Sequence, residues 1–190
     1  MEPMAAYQQT VVWTGQRVAG VRAEDLGLPT PCAEWDVRAL LSHLVAAIWY
    51  FMALAAGEPV ADLMKNLTDL VGDDPFASYD QAARAGLEAW GAAGALDRTY
   101  TLPMGERSGR EALQIHQADL LLHGWDLAEA THQDSTIAPE LAAFALETER
   151  WFVQPGMRGA GRAYAAERAA TDDSDEARLL ASTGRDPRWR

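Results

Sequence analysis

The chain has 190 residues, 48% of them hydrophobic and 8% aromatic, and a formal net charge of −12. That charge argues against nucleic acid, which needs a basic footprint, and against an anionic membrane surface. One cysteine, Cys32, excludes an internal disulfide, and the length predicts one domain, 1–190, with a core that needs no staples.

The Ala- and Leu-rich composition predicts an all-α fold. The N-terminal stretch MEPMAAYQQT lacks a basic segment followed by an apolar one, so no signal peptide is expected and the cytoplasm is the predicted compartment. A first amphipathic helix is predicted over 4–24, with Val11, Val12, Val18 and Val21 as core positions and Tyr7 and Leu26 near its ends. Pro29 and Pro31 break the next stretch into a loop. Asp36 then reads as the N-cap of a second helix, and Gly57 followed by Pro59 ends it. Its apolar run, 39–56, is interrupted by Ser42 and His43 and reads as a buried helix rather than a membrane span. Residues 60–72 have short helical character, and 73–80 read as a turn. A third helix runs to Ala93 from Pro75 or Tyr79. TYTL at 99–102 has strand character and leads into a Pro-Met-Gly turn.

Ser108 and Glu111 form a capping box that starts a long helix over 108–132. Pro139 marks the first turn of another. Residues 155–190 are predicted to be an irregular C-terminal extension with one short helix, 174–182, before the closing GRDPRW. No internal repeat and no phosphate-binding glycine loop is present in the sequence.

The chemistry concentrates in the 108–132 helix, which carries three of the four histidines. At about 100° per residue, His116, Asp119, His123 and Asp126 share one stripe flanked by leucines. Buried imidazoles and carboxylates need partners, and a cation would satisfy them together. Asp119 and His123 are four residues apart and can grip one ion from one helix, with His43 arriving from a neighbouring antiparallel helix. Two imidazoles and a carboxylate suit zinc, iron or nickel, and three protein ligands leave an open position. The alternative is a simple Asp119–His123 pair beside a core His43.

His116 is open to three readings: a fourth ligand, a proton carrier, or a pocket-lining residue. Asp126 can orient a ligand histidine through its other ring nitrogen or form a plain i,i+3 hydrogen bond. Trp125 and Arg38 are candidate pocket residues. Cys32, beside acidic Glu34 and Asp36, reads as structural. His132 reads as a helix-end residue near the dipole.

TPCAEWDVRALLSHLVAA, followed by DLLLHGWDLAEAT, resembles the DinB-like metal-binding proteins. The likeness is greatest to the actinobacterial branch related to the metal-binding N-terminal domain of mycothiol-dependent maleylpyruvate isomerase. The ending LLASTGRDPRW resembles the same branch. The resemblance implies a four-helix bundle with a long crossover connection and a divalent metal held by His43, Asp119 and His123. The related isomerases have Glu where this chain has the shorter Asp119, and His132 stands where relatives often have Gly. They also carry a further C-terminal domain that this chain has no room for after residue 155.

The expected activity is that of a mycothiol- or small-thiol-dependent transferase or isomerase acting on a small electrophile. His116 is the candidate proton carrier, and Arg38, Arg107 or Arg110 are candidate partners for an anionic substrate. A non-catalytic metal-binding or sensor protein and a metal-assisted hydrolase are the rival readings. A homodimer is compatible with the apolar helices.

Overall fold

The computed structural model describes residues 1–58 and 70–189. Its helices are α1 Pro3–Ala19, α2 Val37–Ala56, α3 Pro75–Gly91, α4 Gly109–Ala130, α5 Pro139–Phe152 and α6 Asp175–Ser182. A hairpin of β1 Thr99–Leu102 and β2 Gly105–Ser108 joins α3 to α4. The fold is all-α apart from that hairpin among the described residues.

α1 opens with proline in its first turn, where the missing N–H costs nothing. Its buried stripe runs through Tyr7, Val11, Thr14 and Val18, steps of four, three and four residues. Val12, expected in the core, is 61% exposed because it sits about 100° round the helix from Val11. The helix also stops at Ala19 rather than at 24, and Ala23–Asp25 forms a separate 3-10 turn.

Asp36 caps α2 by accepting from the Ala39 N–H at 2.8 Å, and Gly57 ends it in the left-handed conformation at φ 81°. α2 is long and apolar enough to cross a membrane by length and composition, with a mean hydropathy of 1.8, but 67% of that window is buried inside the bundle. Most of the expected 60–72 helix lies outside the described residues. Of the two expected starts of the third helix the structure has the earlier: Asp74 is an N-cap, accepting from the Ala77 N–H at 2.9 Å, and α3 begins at Pro75, so residues 75–80 of the expected turn are helical. Apolar periodicity is weak there, which is why the sequence alone allows both starts. The second strand, GERS, was not anticipated either. It carries no apolar alternation and is held by its register with β1, Leu102 opposite Gly105.

α1 packs on α3 and α4, and α2 packs on the same two, closing a four-helix ring. α5 lies against α4 and α1, and α6 against α5. α4 is the shared element. Leu113, Leu120 and Leu127 enter the core within the ring, while Leu121, Leu122 and Trp125 enter a second core with Leu141, Phe144 and Leu179. Gly124 permits the close approach of α1: a Cβ there would lie 2.7 Å from Thr14 Oγ1, whose hydroxyl donates to the Leu120 carbonyl at 3.2 Å. His43 of α2 meets His123 of α4, while Phe51 further along α2 meets His116 earlier on α4, so the two helices run antiparallel.

Candidate metal centre

The antiparallel pairing of α2 and α4 brings His43, Asp119 and His123 together. His43 Nε2 lies 3.5 Å from Asp119 Oδ2, and His123 Nε2 lies 3.5 Å from Asp119 Oδ1. One donor atom from each residue falls within 4.8 Å of the others. Donors held at zinc distances in a tetrahedron stand about 3.4 Å apart, so the spacing matches a shared ion better than hydrogen bonds, which are shorter. His43 Nε2 is buried and has no hydrogen-bond partner among the described residues. A cation between the three groups would supply that partner. The short side chain of Asp119 therefore reaches both imidazoles. With 31% of the side chain exposed, it is also the most open of the three to solvent.

Electrostatics follow the geometry. Burial alone would raise Asp119, but the flanking imidazoles of His43 and His123 hold its carboxyl well below the usual range. Burial alone would lower His123, but the charge of the adjacent Asp119, with the contacts to Asp126 and Cys32, holds it well above the usual imidazole value. The cluster is an anion between two bases, a donor set that suits a divalent cation.

The other nitrogen of His123 is also fixed. Nδ1 lies 3.0 Å from Asp126 Oδ2. Asp126 is fully buried; burial would raise its carboxyl, but Arg185 and His123 hold it down to about 2. An ionised carboxylate only accepts, so Nδ1 carries the proton and Nε2 faces His43 and Asp119. Asp126 thus stands where a carboxylate orients a ligand histidine.

Cys32, read from sequence as structural, lies in this cluster. Its Sγ is 3.2 Å from Asp126 Oδ2 and 3.7 Å from His123 Nδ1. The loop before α2 places it there. Thr30 Oγ1 accepts from the Cys32 N–H at 3.1 Å and donates to the Trp35 carbonyl at 2.9 Å, and a Pro29–Asp36 bridge closes the turn. Acidic neighbours in the chain did not predict this, because Glu34 is exposed and Asp36 is occupied as a cap.

The indole over the site is Trp35, with ring centroids 4.6 Å from His43 and 5.5 Å from His123. Trp125, expected as a pocket residue, is instead 1% exposed within the second apolar core. Arg38 donates to the Gly72 carbonyl at 3.0 Å. Arg110 pairs with Glu2, and Arg107 donates to the Glu106 carbonyl. His116 stacks on Phe51 at 4.4 Å and 8° and lies 4.9 Å from Tyr7. Neither of its nitrogens has a hydrogen-bond partner among the described residues, and burial pushes its pKa down to about 3. It is not one of the grouped donors; the rings of Phe51 and Tyr7 flank it, and Asp119 and His43 are close enough to act on its charge.

Three residues given no role in the sequence reading complete the surroundings. Arg185 pairs with Asp126 through two parallel hydrogen bonds, 2.9 and 2.6 Å. Tyr164 donates to Glu149 Oε1 at 3.3 Å. Burial raises Glu149 to about 7, and its Oε2 is buried without a partner among the described residues.

Relatives share this architecture. A DinB-like protein from Bacillus subtilis superposes with a TM-score of 0.55 at 14% identity, over 70% of this chain and 91% of that one. A variant of mycothiol-dependent maleylpyruvate isomerase gives 0.54 at 13% identity, over 78% of this chain and 66% of that one. At those identities the likeness is one of fold, all-α and DinB-like. An uncharacterised protein found in two strains of Mycobacterium tuberculosis is 35% identical over 184 residues, covering 96% of each chain. Residues 14–128 match the family described as mycothiol maleylpyruvate isomerase N-terminal domain. That span holds α2 entire and α4 as far as Ala128, and with them the whole histidine–aspartate cluster; the chain belongs to this family.

Proposed function

We propose that the protein binds one divalent metal through His43, Asp119 and His123 and uses it for small-thiol chemistry, with mycothiol as the thiol. The observation that carries this reading is the buried Nε2 of His43, without a hydrogen-bond partner among the described residues and spaced with Asp119 and His123 as the donors of one ion are spaced. A second donor cluster, Cys32, His123 and Asp126, shares His123 through its other nitrogen. It is the poorer cation site, because the Arg185 guanidinium already occupies both Asp126 oxygens.

A bound divalent metal supplies acidity, since a coordinated thiol loses its proton near neutral pH and becomes a nucleophile. The chain does the rest. Two imidazoles and one carboxylate leave an open position. Trp35 walls the histidines, and Asp119 faces the solvent side from which a thiol and a small electrophile would arrive. Transfer to the electrophile or its isomerisation is the activity class that fits, and zinc is the metal the donor set suits first, ahead of nickel or iron.

The test is a thermal shift of zinc-loaded protein with mycothiol, set against glutathione and bacillithiol. A mycothiol-specific rise in Tm supports the reading. Metal binding with no response to any of the three thiols overturns the thiol assignment.

A further inference from the structure

The closing GRDPRW segment has no part in the metal reading as it stands, yet it sends one side chain to the centre. α6 ends at Ser182, and Gly184 follows in the left-handed conformation at φ 81°. The Gly184 N–H donates to the Ala181 carbonyl at 3.1 Å and the Arg185 N–H to the Leu180 carbonyl at 2.9 Å, the paired bonds of a Schellman stop. A Cβ on Gly184 would stand 2.6 Å from that of Ala165, so glycine is needed there for space as well as for φ. This stop sets the direction in which Arg185 leaves the helix. Its side chain is 11% exposed and reaches Asp126, whose side chain is wholly buried. Nε donates to Oδ1 at 2.9 Å and the terminal nitrogen to Oδ2 at 2.6 Å, the bidentate fork that holds a carboxylate in one plane. The Cys32 thiol donates to the same Oδ2 at 3.2 Å. Oδ2 also takes the His123 Nδ1–H at 3.0 Å.

We propose that Arg185 is a positioning residue of the metal centre: by clamping Asp126 it fixes the ring of His123, so that the C-terminal segment completes a site whose ligands all lie on α2 and α4. This rests on the metal reading above. A carboxylate free to rotate would hold Nδ1–H in one direction only part of the time. Without the guanidinium it would also sit buried with an uncompensated charge. Lysine in place of arginine returns the charge but not the fork.

The experiment uses the full-length chain and zinc, with affinity measured by competition against a chromophoric chelator. In Arg185→Ala, zinc binds about 10- to 100-fold more weakly, the range typical for loss of an outer partner, and Arg185→Lys recovers part of that loss. A second readout needs no metal. In 15N-labelled zinc-free protein, the His123 Nδ1–H gives an exchange-protected signal, assigned by its disappearance in His123→Gln and lost to exchange in Arg185→Ala. Unchanged zinc affinity in Arg185→Ala overturns the proposal. So does weakened affinity with the Nδ1–H signal intact, because the effect then does not pass through Asp126. Should Arg185→Ala fail to fold, Arg185→Lys decides: wild-type affinity and wild-type protection together refute the need for the fork. If the wild-type chain binds no zinc, the metal reading falls, while the proton signal still reports whether Arg185 holds His123.

Discussion

His116 and His123 sit seven residues apart on one helix, about two turns, and meet opposite fates. His116 is pressed between Phe51 and Tyr7, both nitrogens without a hydrogen-bond partner among the described residues, and burial keeps it neutral. His123 has Asp119 on one nitrogen and Asp126 on the other, and these hold its pKa well above the usual imidazole value despite burial. The helix supplies the same residue to both places. What differs is what α2, the Cys32 loop and the C-terminal segment bring against it. A polar stripe on a helix is therefore not a site until other elements answer it.

The comparison can be broken most forcefully at Asp126. Asp126→Ala leaves Arg185 and His123 without their buried counter-charge, and stability should fall by about 3–5 kcal/mol in urea unfolding. A loss below about 1 kcal/mol would mean that the polar side of the comparison is no tighter than a surface pair.

Asp119→Ala should next weaken zinc binding by at least the roughly 100-fold that loss of an orienting partner can cost, read by chelator competition. His116→Phe should leave zinc binding unchanged in the same assay. Equal losses in the two variants would erase the distinction between the histidines.

Acid should separate them further. His116 is neutral in the fold down to about pH 3 but takes a proton near 6.5 once unfolded. The unfolded chain therefore binds more protons between those values, and this group's share of stability falls as pH falls, by about 1.4 kcal/mol per unit. Glu149, raised from 4.5 to about 7, acts in the opposite sense and stabilises the fold as pH drops through that window. The two offset each other in the wild type, so the quantity to measure is the difference from His116→Phe. Relative to wild type, that variant should gain stability steadily as pH falls from 7 to 5. A constant difference would show that His116 is not held neutral.

The smallest effect lies where α4 ends. His132 has φ 55°, in the left-handed region that glycine adopts freely. His132→Gly should raise stability by less than about 1 kcal/mol, since relief of strain exceeds the added chain entropy only slightly. Destabilisation would mean that its side chain contributes more than the strain costs.

The fold class was legible because each helix announces itself locally: Asp36, Ser108 and Pro139 at the starts, Gly57 at a stop. Where local signals are weaker the sequence says less: it leaves the start of α3 between Pro75 and Tyr79, and it does not announce the polar strand GERS. The grouping of Asp119, His123 and Asp126 was equally local, a matter of i+4 and i+3 steps along α4. His43 could be paired with them only through the antiparallel packing of α2, and the family resemblance pointed the same way.

Cys32 and Arg185 were beyond reach for a different reason. They meet Asp126 across 94 and 59 residues of chain, from a loop and from a helix stop, where no periodicity says what a side chain faces. The cues for Arg185 were its place directly after a glycine that ends a short helix and its place in the family-like ending LLASTGRDPRW. His116 fits the stripe perfectly well by angle. Only the rings of Phe51 and Tyr7, from two other helices, take it out of the polar group.

The central claim is that His43, Asp119 and His123 hold one metal ion. X-ray absorption at the zinc edge, on protein purified without chelators and reconstituted with one equivalent of zinc, tests it most directly. The prediction is a shell of nitrogen and oxygen donors at about 2.0–2.1 Å with the outer-shell scattering of two imidazoles. A sulfur at about 2.3 Å would place the ion on the Cys32 cluster instead, and failure to retain zinc at all would contradict the account outright.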